Sequence, residues 1–95
     1  MAIYDLWAEK ISDGDGKYLP FRFYDEPQKA RAFAAKNMSG VLRGKYIIAV
    51  YRNNGKKVER VGEIFKEGRS LRYRCMRTNY IYRMNQKGEI GDLVR

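Results

Sequence analysis

The sequence predicts an α+β fold: a small antiparallel β-sheet with one helix packed on one face, in the order β-β-α-β-β-β-β. Three observations predict it. Only residues 25–40 carry a helical apolar period. Elsewhere apolar residues alternate at period two or run on over strand lengths. The runs are separated by Asp-Gly, Asn-Gly, Lys-Glu-Gly and Lys-Gly-Glu, the residues of tight turns. Ninety-five residues are expected to form one domain, 1–95. Its core is small, so eight Tyr, four Phe and Trp7 must supply much of it.

Residues 2–11 (AIYDLWAEKI) and 18–24 (YLPFRFY) flank SDGDGK and predict an N-terminal hairpin. Leu19, Phe21 and Phe23 alternate, while Pro20 lacks a ladder donor and points to an edge or irregular strand. In the helix, Asp25 and Gln28 have capping-box spacing and Pro27 suits the first turn. Ala30, Phe33, Ala34 and Met38 make one apolar stripe, and Gly40 is the stop. KYIIAVYR (45–52) is apolar on both faces, as a central strand is. Asn54-Gly55 predicts a hairpin into 56–65, where Gly62 marks a bulge or a close backbone approach. Residues 69–76 and 80–86 form the next pair, and 90–94 is a short closing segment.

The net charge of +9 is segregated. Residues 1–42 carry six basic and six acidic side chains, whereas 43–95 carry fourteen basic and five acidic. Solubility alone does not require such segregation, and it suggests a polyanionic partner. The focus is RSLRYRCMRTNYIYR (69–83), five arginines and three tyrosines with no lysine and no acid. On a strand, Arg72 and Arg74 share one face, roughly 6.6 Å apart. Arg69, Arg72, Arg74, Arg77 and Arg83 are the expected phosphate contacts, because a guanidinium offers a planar fork. Tyr80 and Tyr82 are the expected stacking platforms. Arg52, Lys56 and Lys57, at the Asn-Gly hairpin, are an auxiliary clamp, and Arg43, Gly44 and Lys45 a weaker third group. Against this, Glu59, Glu63 or Glu67 can neutralise the arginines across strands, and Arg and Tyr also enrich protein interfaces.

Much chemistry is excluded. With no histidine, His-based acid–base and triad catalysis falls away, as do nearly all zinc sites. A lone Cys75 allows no internal disulfide, and on the strand it faces the core side as a small hydrophobe. DGDG (13–16) begins like a calcium loop. It fails at Lys17, Tyr18 and Tyr24 and reads as a turn. Phosphate-binding loops, nucleophile elbows, helix-turn-helix pairs, RNP1 runs and zinc patterns are missing. The expectation is therefore a non-enzymatic, cofactor-free and metal-free cytoplasmic protein with no membrane segment. It would bind nucleic acid of unspecified type. The alternative is a non-catalytic interaction protein of the bacterial or phage regulator or inhibitor type, docking on an acidic protein surface or a nucleoprotein machine. Oligomeric state is open, because an exposed edge strand can pair two copies.

Overall fold

A computed structural model describes residues 1–40, 42 and 45–95. Its elements are β1 (Ile3–Lys10), β2 (Gly16–Tyr18), β3 (Phe23–Tyr24), α1 (Pro27–Ser39), β4 (Tyr46–Asn53), β5 (Val58–Glu67), β6 (Ser70–Cys75), β7 (Ile81–Met84) and β8 (Ile90–Leu93). The strands form one antiparallel sheet, ordered β2-β1-β4-β5-β6-β7-β8, with β3 also on β1. This is the predicted α+β class. No helix of the described residues is long and apolar enough to cross a membrane.

Two predicted elements differ in detail. The run 18–24 is not one strand. β2 and β3 pair with separate parts of β1, and Leu19 to Arg22 leave the ladder between them. Pro20 has no N–H to continue it. The gap is put to use: Leu19 donates its amide to the Leu6 carbonyl at 2.8 Å and is buried, while Phe21 meets Phe33 of α1 edge to face. The closing segment 90–94 contributes a true strand, β8.

α1 ends where predicted, at Gly40, but its start is built differently. Asp25 makes no capping bond; Glu26 is the N-cap residue and Pro27 follows it. Asp25 instead closes the chain onto the N-terminus. Its Oδ1 accepts from the Ala2 amide at 2.7 Å, and its own amide donates to the Ala2 carbonyl at 2.8 Å. That reciprocal pair competes with the cap and holds Asp25 at φ 56°. Gln28, the other half of the expected box, donates to the Lys87 carbonyl instead.

The helix sits close to the sheet because its buried side is small: Ala30, Ala34, Ala35 and Met38. They pack with Leu6, Ala8, Ile48, Val50, Ile64, Leu71, Tyr73 and Met84. β4 lies inside the sheet with Ile48, Ala49 and Val50 buried, as its two-faced apolarity predicts. The Asn54-Gly55 turn forms, with the Asn54 carboxamide accepting from the Lys56 and Lys57 amides. Gly62 is both things expected of it. The register of β4 and β5 shifts beside it, leaving Val61 as the extra residue, and the Tyr73 ring lies on its Cα.

The β7–β8 turn is locked to α1. Gly88 has φ +77°, and Arg31 donates to its carbonyl at 2.8 Å while standing over the Tyr73 ring. A Cβ at Gly88 would lie 2.5 Å from the Gln28 carbonyl oxygen and 2.6 Å from the Ala32 amide nitrogen. Those atoms are helix backbone and cannot yield cheaply. Gly88→Ala is therefore expected to cost about 3 kcal/mol, from overpacking plus left-handed strain. Gly55→Ala has φ +90° but open space around it and should lose only about 1 kcal/mol. Urea unfolding midpoints of the two variants check the order.

Candidate nucleic-acid interface

Alternation decides what the face away from α1 carries. β1 sends Leu6 and Ala8 to the helix, and therefore Asp5, Trp7 and Glu9 to the open side. The register carries that parity across the sheet. One row runs Trp7, Ala49, Glu63, Arg74, Ile81. A second runs Phe65, Arg72, Arg83, and a third Asp5, Tyr51, Arg60. Arg60 belongs to the third row only because of the bulge. At strict period two it would share the helix-side face of Gly62 and Ile64; the extra Val61 returns it to the side of Tyr51.

Here the arginines meet carboxylates. Glu63 is held between Arg60 and Arg74, the latter at 3.3 Å. Glu67 is held between Arg72, at 3.4 Å, and Arg95. The Arg95 hydrogen bond, helped by the charges of Arg95 and Arg72, keeps the Glu67 carboxyl below the usual carboxylate range. This clasp therefore persists as pH falls into that range and is lost only below it. Guanidinium groups also lie over rings: Arg60 is 5.9 Å from the Tyr51 centroid and Arg74 is 5.6 Å from that of Phe65. The pairs along β5 are partly buried and fix the side chains against one another, which neutralises charge. Their larger effect is spatial, since the Arg stems cover apolar sheet surface while their charges stay wet. Arg72 and Arg74 thus have glutamate partners; the Arg72–Glu67–Arg95 group keeps one net positive charge, whereas Glu9, 4.0 Å from Arg60, balances the group around Glu63.

A different environment lies at the end of β6 and β7. These strands pair only over Arg72 to Arg74 and Ile81 to Arg83. Beyond Arg72 and Arg83 the β6–β7 pairing stops, while β7 stays paired on its other edge to β8, with Tyr82 opposite Leu93 and Met84 opposite Ile90. The concavity between β6 and β7 measures about 460 Å³ and is lined by Arg69, Ser70, Leu71, Arg72, Arg83, Met84, Asn85 and Gln86. Among the described residues its wall has three arginines and no carboxylate. Among the described residues neither Arg69 nor Arg83 has an ion-pair partner. Arg72 and Arg83 stand directly opposite each other, a like-charge juxtaposition that destabilises a sheet when nothing lies between.

The remaining expected contacts lie elsewhere. Tyr82 opposes Tyr73 and packs on the core, on the face opposite to Arg72 and Arg83. The expected platform beside the arginines therefore does not include it. Tyr80 is exposed just before β7, and Arg77 is exposed in the preceding turn. Arg52 opposes Tyr4 and Glu59 on the helix side. Lys56 and Lys57 are exposed at the hairpin tip, with Lys57 3.4 Å from Glu59. That tip and the arginine concavity stand at opposite ends of the ten-residue β5, roughly 30 Å apart. Lys45 is exposed; Arg43 and Gly44 lie outside the described residues.

Sequence reasoning missed Trp7, Tyr51, Arg60, Phe65 and Arg95 as members of the open face. Period two in β1 and β4 could have found Trp7 and Tyr51, but the parity of Arg60 depends on where the bulge falls. Compared with protein-family models, curated proteins and solved structures, the chain has no match in any of the three.

Cys75 shares the core-side face with Leu71 and Tyr73 as expected, yet lies at a strand end and is only half-buried. The Thr78 hydroxyl, then the Thr78 and Arg77 amides, favour its thiolate and lower the thiol below its ordinary value. Its alkylation by iodoacetamide should reach half-maximal rate at a lower pH than that of free cysteine. Thr78→Val should move the midpoint up, as rates across a pH series would show.

Proposed function

We propose that this chain is a small non-catalytic nucleic-acid-binding protein of the cytoplasm, and that phosphate enters the concavity formed by Arg69, Arg72 and Arg83. The observation that carries the reading is a concavity lined by three arginines and, among the described residues, by no carboxylate, with Arg69 and Arg83 in no ion pair there. A phosphate between Arg72 and Arg83 would remove their mutual repulsion and accept forked hydrogen bonds from both. Arg77, Lys56 and Lys57 add cations at the far end of the sheet and suit an extended polyanion. Arg74, paired to Glu63 in a group that Glu9 balances, would reach phosphate only by exchanging that partner.

An acidic protein surface, the alternative from the sequence, would use the same cations but would lack phosphate geometry. Fluorescence anisotropy with labelled oligonucleotides at two salt concentrations separates the two. Binding in the micromolar range or tighter is expected. The Arg69→Ala/Arg83→Ala double variant should bind at least tenfold more weakly. Its salt slope should shrink by roughly 1.4, for two lost single-strand phosphate contacts. Absence of binding to any nucleic acid at physiological salt would overturn the reading.

A further inference from the structure

Resting on that reading, we propose that the nucleic acid is a single strand, with phosphates on the β6–β7 arginines and bases stacked across the open sheet face from Phe65 toward Trp7. The register makes the case. Phe65 opposes Arg72, and Arg72 opposes Arg83, in one row on one face. With about 4.8 Å between strands, the ring stands roughly 5 Å from the first arginine position and 10 Å from the second. One nucleotide can span that separation, its base on the Arg74 guanidinium that caps the ring and its phosphate on the forks.

The face continues in the same chemistry. Arg74 over Phe65 and Arg60 over Tyr51 present cation-capped rings, and both guanidinium planes and aromatic rings stack bases. Beyond them Trp7 meets Tyr18 edge to face at 4.8 Å, and Tyr18 is 61% exposed. The intervening Glu63 does not repel the strand's phosphates, because two arginines hold it. Asp5 and Glu9 stand on β1, the strand of Trp7, so the phosphates stay toward β6 and β7. A duplex cannot use this surface. It hides its base faces within its own stack and offers only groove edges and phosphates.

Trp7 is the only tryptophan, so its emission reports on the far side of the face. The test uses the whole chain with four octanucleotide probes: single-stranded DNA, single-stranded RNA, duplex DNA and an abasic single strand. Quenching of Trp7 by a base-bearing single strand, and by neither duplex nor abasic strand, is the expected result. Phe65→Leu keeps apolar volume beneath Arg74, and its melting temperature shows whether the sheet is intact. It should weaken single-strand binding by about fivefold to a hundredfold and leave duplex binding unchanged. Equal affinity for duplex, abasic and base-bearing strands, with Phe65→Leu neutral, would overturn the single-strand proposal and leave the phosphate site standing. No binding of any probe would overturn both.

Discussion

An eight-stranded sheet has two faces, and the described residues supply one thirteen-residue helix to cover them. At about 1.5 Å per residue the helix is roughly 20 Å long, and its alanine side lets it lie close to one face only. Among the described residues the other face has no second layer. A sheet face left to water must be both wettable and covered, and long side chains with apolar stems and charged ends meet both demands. The arginine and aromatic richness of β5 and β6 follows. Arg60 and Arg74 lie over Tyr51 and Phe65, Glu63 and Glu67 fix the guanidinium groups in place, and Arg95 reaches back from the C-terminal end to Glu67.

That covering layer determines which positive charges can meet a partner. The net charge of +9 is not uniformly available. Arginines lying along β5 share its glutamates. Those beyond its reach, Arg69 in the β5–β6 turn and Arg83 on β7, do not. The concavity lies where the β6–β7 pairing stops after Arg72 and Arg83, while β7 keeps β8 on its other edge. Arg69 and Arg83 line the space at the end of that ladder, so one place offers both room and charge.

The architecture was legible because its signals are local. Apolar periods, the Asn-Gly turn, the proline at the start of α1 and the glycine after it all act within a few residues. The two corrections arise where a distant partner competes with a local preference: Ala2 draws Asp25 away from the helix cap, and β1 divides the predicted strand on either side of Pro20. The composition of the site was legible and its geometry was not. The faces of 70–76 came out as alternation requires, but a separate strand has its own parity relative to its neighbour. Register alone puts Tyr82 opposite Tyr73 and Arg83 opposite Arg72. The possibility that Glu63 and Glu67 neutralise the arginines was visible in the sequence, and the choice of partners depended on strand order.

The central claim is that the β5 glutamates hold arginines against the sheet and so limit which cations a polyanion can use. It is tested most directly by the salt dependence of oligonucleotide binding in a Glu63→Gln/Glu67→Gln variant. The control is Asp13→Asn/Glu26→Gln, which removes the same charge from exposed pairs with Lys10 and Lys29. The account predicts tighter binding for the β5 variant and a salt slope steeper by about 1.4, as two further guanidinium groups reach phosphate. The control should shift affinity slightly and leave the slope unchanged. Identical behaviour of the two variants would contradict the account, because the open-face pairing would then have no bearing on what the protein binds.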